Sequence, residues 1–390
     1  MKSLSAALAR VEPSQTSAMT DRATALRAEG RDIVSLSVGE PDFDTPPHVI
    51  EAAKAALDTG ETRYTPVAGT MALREAAARH YERDLGIAVA PEQVIVTAGG
   101  KQAIFEAFCA TISAGEEIIV PSPWWVSYPQ IVRFAGGSVV PLTTRPEQGF
   151  RFSAGDLEAQ IGPRTSWLIL NSPGNPTGAV YPRAMLEEIG EVLRAHPQVM
   201  VLSDDIYWPL RYDGAPHASL AAVCPDLAER VLTISGVSKS HAMTGLRIGF
   251  AAGPRWLIAA MTTLQSHNSG NASSVSQAAA VAALDGPQGF LGEWRDRFCA
   301  RRDLVVEAIN AIPGLSTPAP DGAFYCMVDA APLMERFADD TALAMHLLDH
   351  GVAVVPASAF GGSDGFRISF AASEARLETA LARIAEAVAR

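Results

Sequence analysis

Cysteine is scarce in this chain of 390 residues, which contains only Cys109, Cys224, Cys299 and Cys326. The four lie far apart and form no C-x-x-C pair, which argues against a disulfide framework and against a cysteine zinc site. We expect reduced, mostly buried thiols and a cytoplasmic location.

An excess of basic charge is also lacking. Lysine and arginine number 31 against 43 aspartate and glutamate residues, giving a formal net charge of -12, and the two signs are mixed along the chain. Nucleic acids and anionic membrane surfaces are bound by basic faces, so neither partner is expected. No apolar run reaches the roughly 18 residues of a membrane span. The N-terminus meets Arg10 and Glu12 before a signal-peptide core could form.

The chain does have an apolar share of 48% and a charged share of 19%, which indicate a globular protein with a large core. Short apolar runs alternate with helical stretches, a pattern that predicts an α/β fold with a mostly parallel sheet covered by helices on both faces. The strands of this sheet are predicted at 94–97, 117–120, 138–142, 167–170, 199–203, 231–234 and 248–252. A smaller α+β domain is expected to follow, joined by a long helix at 291–312.

The stretch 235–250, SGVSKSHAMTGLRIGF, places Lys239 and Arg247 between two predicted buried strands. Burial favours the neutral form of a lysine, and a neutral amine can attack a carbonyl to form a Schiff base. The alternative is a lysine that reaches the surface from a loop.

Gly99 and Gly100 follow one predicted strand and open a helix. Free backbone N–H groups at a helix N-terminus suit a phosphate, whereas the alternative is a simple tight turn. The segment is not a Walker loop, because Gln102 stands where Ser or Thr would hold magnesium.

Polar residues follow two more predicted strands. Asp204 could pair with the protonated ring nitrogen of a heteroaromatic cofactor, and Tyr207 could donate a hydrogen bond to the same ligand. Asp204 and Asp205 could instead cap a helix or bind a metal, although no clustered carboxylate or histidine supports a metal site. Asn175, in the turn NSPGNPTG, could bind a carboxylate or phenolic oxygen, or only satisfy its own turn.

The segment 366–370, FRISF, alternates, so that Arg367 and Ser369 share one face. An arginine there can bind a carboxylate through two parallel hydrogen bonds, or can be an ordinary solvated strand residue.

Together these segments resemble the class I pyridoxal-phosphate aminotransferases over nearly the whole chain, and most closely their bacterial aspartate aminotransferase branch. The motifs that carry the resemblance are SVGEPDFDTP, RYTPVAG, TAGGKQA, SPWWVSYPQ, NSPGNPTG, SDDIY, SGVSKSHAMTGLRIGF and GFRISFA. The resemblance implies the pyridoxal-phosphate fold type I, with a mixed, mostly parallel seven-stranded sheet. It divides the chain into a large domain at 41–285 and a small domain formed by 1–40 and 286–390.

The resemblance also implies the site residues. Lys239 would form the Schiff base and move the proton, and Asp204 would pair with the ring nitrogen of pyridoxal 5′-phosphate. Cofactor contacts are expected further from Gly99, Gly100, Lys101, Trp125, Asn175, Tyr207, Ser238 and Arg247, and from Tyr64 of a neighbouring subunit, so that a homodimer with active sites at its interface is expected. Contacts with the substrate are expected from Gly39, Trp125, Asn175 and Arg367, and with its distal carboxylate from Lys101, Thr16 and Ser14.

These residues favour transfer of an amino group from L-aspartate to 2-oxoglutarate with ping-pong kinetics. Glutamate, prephenate, aromatic, methionine-like or basic amino acids stay open as donors, and so does a lyase or an oxidase on the same scaffold. The chain departs from the branch at Trp124, Leu246, Asp205, Glu12 and 267–271, and we expect these departures to lie near the pocket. A DNA-binding regulator is disfavoured because the first forty residues are too few and too weakly basic.

Overall fold

The structure is a computed structural model that describes residues 4–389. Strands β2 to β8 form one seven-stranded sheet in the order β2-β8-β7-β6-β5-β3-β4, in which β8 alone runs antiparallel to its neighbours. The predicted mixed, mostly parallel sheet is therefore confirmed. The strands are β1 (Val34–Ser35), β2 (Val94–Thr97), β3 (Glu117–Ser122), β4 (Ser138–Thr143), β5 (Thr165–Asn171), β6 (Met200–Asp204), β7 (Val231–Ser235), β8 (Gly249–Ala252), β9 (Tyr325–Asp329), β10 (Val352–Ala353), β11 (Val355–Pro356) and β12 (Gly365–Ser369).

Helices cover both faces of this sheet, since apolar side chains alternate along its strands. Leu168 and Leu170 of β5 pack into one hydrophobic cluster, while Trp167 and Ile169 pack into the other. The helices are α1 (Gln15–Ala28), α2 (Pro47–Asp58), α3 (Met71–Leu85), α4 (Gly100–Thr111), α5 (Ser127–Ala135), α6 (Ala154–Gln160), α7 (Arg183–Ala195), α8 (Leu220–Val223), α9 (Arg255–Asn268), α10 (Ser274–Asp285), α11 (Phe290–Asn310), α12 (Asp340–Asp349) and α13 (Glu374–Ala389). Within residues 4–389, every helix is too short or too polar to cross a bilayer.

A separate hydrophobic cluster joins both ends of the chain. Apolar residues of 19–36 pack there with residues of 298–388, around the antiparallel sheet β11-β12-β9 and the parallel pair of β1 and β10. This cluster supports the division of the chain into two domains at residues 41 and 285, and these boundaries stay a prediction.

Three predicted elements differ in extent. The helix predicted at 124–135 begins at Ser127, because the backbone N–H of Trp124 donates to the Phe360 carbonyl instead of to a helical turn. The alternating segment 32–38 pairs with β10 only at Val34 and Ser35. Beyond this pair, the Leu36 N–H donates to the Ala353 carbonyl at 2.8 Å and the Leu36 carbonyl accepts from the Ser369 N–H at 2.8 Å, so the segment continues between two strands with single backbone hydrogen bonds. The predicted strand 352–355 is divided between β10 and β11, which belong to different sheets.

The parallel topology decides where the site lies. Strands β2, β3, β5, β6 and β7 all end at the same edge of the sheet, and β8 begins there because it runs in the opposite direction. Ligands of α/β sheets bind outside the carboxyl ends of the strands. The polar motifs predicted from the sequence follow these strand ends and therefore meet at this edge.

Candidate active site

A cavity of about 460 Å³ opens at the carboxyl edge of the large sheet. It is large enough for a small cofactor together with a substrate. The predicted site residues that line it are Thr16, Gly39, Gly99, Gly100, Lys101, Trp125, Asn175, Asp204, Tyr207, Ser238, Lys239, Arg247 and Arg367. The structure therefore brings together segments that are up to several hundred residues apart in the chain.

Two predicted residues do not line the cavity. Ser14 is the N-cap of α1, where its hydroxyl accepts a hydrogen bond from the Ser17 N–H and lies 2.9 Å from the Thr16 hydroxyl. Tyr64 is 98% exposed on this chain. Its predicted contact with a neighbouring subunit stays a prediction.

Lys239 lies in the loop between β7 and β8, with its ammonium nitrogen donating to the Gly39 carbonyl. The pKa of Lys239 is lowered to about 8, chiefly by burial; the charges of Arg247 and Arg367 also lower it, whereas those of Glu40 and Asp204 raise it. At pH 7 a group with this pKa is neutral in about a tenth of molecules, roughly 300 times more often than an ordinary lysine. The side chain is thus suited to act as a nucleophile or base.

Asp204 ends β6 and is buried at the floor of the cavity. The Tyr128 hydroxyl donates to its Oδ2 at 2.6 Å, and the Ile206 N–H donates to its Oδ1 at 3.3 Å. Burial raises the pKa of Asp204 to about 6, although both hydrogen bonds lower it. No cation contacts this carboxylate within residues 4–389, so a protonated ring nitrogen from a ligand would complete its pairing.

The glycines after β2 form a cradle for an anion. Gly99 has a φ of +90° and Gly100 begins α4, so the first N–H groups of this helix face the cavity edge. A Cβ at Gly99 would overlap the guanidinium of Arg247, which donates to the carbonyls of Thr244 and Ala98. Backbone donors and a guanidinium in this arrangement suit a phosphate.

Arg367 is 3% exposed on β12 and so is not a solvated strand residue. Its Nη1 donates to Asn175 Oδ1 at 3.0 Å, and its Nη2 donates to the Ser37 carbonyl at 2.6 Å. Nε is buried and has no partner within the described part of the chain. The backbone N–H of Asn175 is satisfied by Asn171 Oδ1, so its own side chain remains available to Arg367 and the ligand.

Lys101 contributes positive charge to the cavity beyond the cradle. Its Nζ lies 4.9 Å from the centroid of the Trp125 ring, within cation–π range. Four basic side chains line the cavity, against two acidic ones, Asp21 and Asp204. The cavity is therefore cationic although the protein carries a net charge of -12, which favours anionic ligands.

Tyr128 and Tyr325 are among the lining residues that have no role predicted from the sequence. Tyr128 contacts Asp204, and Tyr325 lies 2.9 Å from Tyr207, hydroxyl to hydroxyl. Tyr128 lies three residues after Trp125, whose carbonyl accepts from the Tyr128 N–H at 3.0 Å, a spacing that the sequence contains. The position of Tyr325 depends on the register of β9 against β12, which no local pattern reveals.

None of the departures from the branch lines the cavity in the described residues, and the expectation that they lie near the pocket stays a prediction. Trp124 faces a separate small cavity with Phe150 and Tyr181, and Leu246 faces a groove with Phe290 and Trp294.

The other departures contact residues that do not line the cavity. Asp205 lies 3.3 Å from buried His217, and Glu12 lies 3.9 Å from Arg133. Of the run 267–271, Ser269 accepts a hydrogen bond from Gln102. These departures therefore lie behind the residues that line the cavity, although some of them are next to lining residues in the sequence.

Comparisons with known proteins agree with this geometry. The family model described as Aminotransferase class I and II matches residues 31–384. An aspartate/prephenate aminotransferase of Cereibacter sphaeroides is 48% identical over 98% of both chains. Among solved structures, the aspartate aminotransferase from Rhizobium meliloti is 44% identical, with a TM-score of 0.95 over 100% of both chains. The aspartate aminotransferase from Thermus thermophilus with maleate is also 44% identical, with a TM-score of 0.94 over 99% of this chain and 100% of that one.

Proposed function

Since this chain belongs to the class I and II aminotransferase family, we propose that it transfers the amino group of L-aspartate to 2-oxoglutarate, with pyridoxal 5′-phosphate bound at Lys239. The observation that carries the proposal is the placement of Lys239, Asp204 and Arg367 around one cationic cavity. These three supply an amine, a buried carboxylate and a carboxylate-binding guanidinium, the groups that amino-acid transamination requires.

Three observations support the binding of pyridoxal 5′-phosphate in this cavity. The carboxylate of Asp204 is buried without a cation beside it in the described residues. The glycine cradle and Arg247 leave room and charge for a phosphate. Trp125 forms part of the cavity wall and offers a flat surface to an aromatic ring. Asp204 would hold the ring nitrogen, the cradle would hold the phosphate, and Lys239 would hold the reactive carbon.

When bound, pyridoxal phosphate supplies an aldehyde that condenses with amines and a protonated ring that draws electrons from the substrate's Cα. Asp204 keeps the ring protonated because its buried carboxylate gains most from a charged partner. Arg367 binds the substrate's α-carboxylate and fixes its orientation. Lys239, as a free amine, would accept the proton from the substrate's Cα. Since the amino group passes in two halves, ping-pong kinetics are expected.

The choice of a dicarboxylic donor depends on Lys101. Its ammonium group lines the same cavity as Arg367, and Thr16 of α1 lies on the wall with it. A second carboxylate on the substrate would pair with this charge, whereas an aromatic side chain would leave it desolvated. The relatives named above are aspartate or aspartate/prephenate aminotransferases, and one of them was solved with the dicarboxylate maleate.

A panel of amino donors against 2-oxoglutarate, expressed as ratios of kcat/KM, tests the proposed substrate. We expect kcat/KM for aspartate to exceed that for prephenate-derived, aromatic, methionine-like and basic donors. Glutamate is assayed against oxaloacetate instead, because with 2-oxoglutarate it only regenerates the same pair of compounds. Lys101→Ala should lower kcat/KM for aspartate by about 10- to 100-fold, the cost of one charge-assisted hydrogen bond, and change phenylalanine little. Lys54→Ala is the control, because Lys54 is an exposed lysine paired with Glu51 on α2. Equal losses for both donors would remove Lys101 from substrate selection.

The same panel distinguishes transamination from other chemistry on this scaffold. A transaminase must form glutamate in equal amount to the keto acid, whereas a lyase or an oxidase forms a keto acid without glutamate. A homodimer is part of the proposal, since Tyr64 is 98% exposed on this chain and is accessible to a neighbouring subunit. The cytoplasmic location stays a prediction.

A hydrolase is disfavoured although the chain contains a Ser–His–Asp arrangement. The His80 ring lies 2.7 Å from Asp84 Oδ2 and 2.9 Å from the Ser235 hydroxyl. Ser235 is 0% exposed and does not line the cavity, so no substrate carbonyl can reach it. This network instead fixes the end of β7, four residues before Lys239.

A further inference from the structure

Tyr325 contacts three residues of the proposed site at once. It is 1% exposed at the start of β9, and its hydroxyl lies 2.9 Å from the Tyr207 hydroxyl. Its ring lies 4.5 Å from the guanidinium carbon of Arg367. A Cβ at Gly39 would overlap the Tyr325 hydroxyl, so the glycine allows the backbone that receives Lys239 to approach this ring. One side chain therefore lies between the cofactor side and the substrate side of the cavity.

Counting hydrogens determines which of the two hydroxyls, that of Tyr207 or that of Tyr325, donates to the other. Each tyrosine hydroxyl carries one hydrogen, and Tyr207 is the only hydrogen-bond partner of the Tyr325 hydroxyl within residues 4–389. If Tyr207 donates its hydrogen to the phenolic oxygen of a bound cofactor, it cannot also donate to Tyr325. Tyr325 must then donate to Tyr207, and this second bond polarises the first.

The ring of Tyr325 acts on Arg367. The guanidinium lies between two aromatic rings, with its carbon 4.5 Å from Tyr325 and 4.8 Å from Phe360. Its two terminal nitrogens already donate to Asn175 and Ser37. Stacking fixes the plane of an arginine, which decides whether a carboxylate can bind with two parallel bonds.

We propose that Tyr325 is a positioning residue, whose hydroxyl donates to Tyr207 and whose ring holds the guanidinium plane of Arg367. This inference rests on the proposed function, because the two neighbours are given their cofactor and carboxylate roles there. The two parts of the side chain act on different neighbours, so they can be removed separately.

Tyr325→Phe removes the hydroxyl and keeps the ring. We expect kcat with aspartate to fall by about tenfold, the value of one hydrogen bond, while KM changes by less than about twofold. The pH at which the visible absorbance of the cofactor-loaded protein changes should rise by about 0.5 to 1, because Tyr207 stabilises the ionised phenolic oxygen less. A purely structural role would not move this absorbance transition.

Tyr325→Leu removes the ring as well. The dissociation constant of maleate for the cofactor-free protein, measured by calorimetry, should rise by about 3- to 30-fold, whereas Tyr325→Phe should leave it unchanged. Tyr181→Phe is the matched control, since Tyr181 is equally buried and its hydroxyl accepts from the Phe152 N–H outside the main cavity.

Separate outcomes identify which idea fails. If wild-type protein turns over aspartate but Tyr325→Phe keeps the wild-type kcat and absorbance transition, the inference is overturned and the proposed function stands. The same holds if Tyr325→Phe weakens maleate binding as much as Tyr325→Leu does. If wild-type protein neither binds pyridoxal phosphate nor transaminates, both the inference about Tyr325 and the proposed function are overturned. Should Tyr325→Leu fail to fold, the kcat and absorbance of Tyr325→Phe still decide.

Discussion

The hydrogen bond from Tyr128 to Asp204 should decide whether this carboxyl is ionised at neutral pH. Tyr128 is 2% exposed, and its hydroxyl lies 2.6 Å from Asp204 Oδ2. Burial raises the pKa of Asp204 to about 6, while this hydrogen bond lowers it. Tyr128→Phe removes the donor and keeps the ring, so the carboxylate loses a partner without a change in packing.

The magnitude follows from two constants. A hydrogen bond to a charged group contributes about 1.5 to 3 kcal/mol, and 1.36 kcal/mol corresponds to one pKa unit. The pKa of Asp204 should therefore rise by about 1 to 2 in Tyr128→Phe. At pH 7 the ionised fraction would fall from about nine-tenths to between about one-half and one-tenth.

Infrared or carbon-13 titration of the aspartate carboxyl in cofactor-free protein measures this directly, with Asp204→Asn identifying the signal. Tyr181→Phe, which removes a buried hydroxyl elsewhere, should leave the titration unchanged. Because the ring nitrogen pairs with the ionised carboxylate, pyridoxal phosphate should bind less tightly as pH falls through the pKa of Asp204, about 6 in wild type, and this loss should begin at a higher pH in Tyr128→Phe. If Asp204 titrates at the same pH in Tyr128→Phe as in wild type, the reasoning is refuted.

Two further predictions concern the charged groups of the cavity. The pKa of Asp204 is raised from 3.8 to about 6, so the unfolded chain releases this proton first and cofactor-free protein should lose about 3 kcal/mol of stability as pH rises between these values. Chemical denaturation at pH 4 and pH 7 measures this loss in the free energy of unfolding, which Asp204→Asn should abolish. The same loss in the variant as in wild type would contradict the prediction. Lys239→Ala should bind pyridoxal phosphate without covalent attachment and lose activity by several orders of magnitude, and an active variant would refute the proposed mechanism.

Much of the fold follows from short patterns. The buried strands are continuous apolar runs, and the residues just after them, among them Gly99, Asn171 and Asp204, carry the polar groups of the site. Because parallel strands bring their carboxyl ends to one edge, their order along the chain predicts that these residues meet. The long helix near residue 300 and the strands that correspond to β9 and β12, though not their pairing, follow from periodicity in the same way.

Contacts that depend on strand register or on the direction of a loop could not be predicted from the sequence. Tyr325 lies near Arg367 because β9 pairs with β12 so that Met327 is opposite Arg367 and Tyr325 is two residues along. Trp124 and Trp125 are adjacent, yet only Trp125 lines the main cavity, since Trp124 packs against Gly361. Local sequence contains neither fact, because Tyr325 and Arg367 are 42 residues apart (367 − 325) and Trp124 and Gly361 are 237 residues apart (361 − 124).

The central claim is that one amine, Lys239, holds the carbonyl carbon of pyridoxal phosphate in this cavity. Reduction of the cofactor-loaded protein with sodium borohydride, followed by digestion and mass spectrometry, tests it most directly. We predict a single pyridoxyl group on the peptide that contains Lys239, and no label in Lys239→Ala. A label on Lys101 or another lysine, or no label on wild-type protein, would contradict the account.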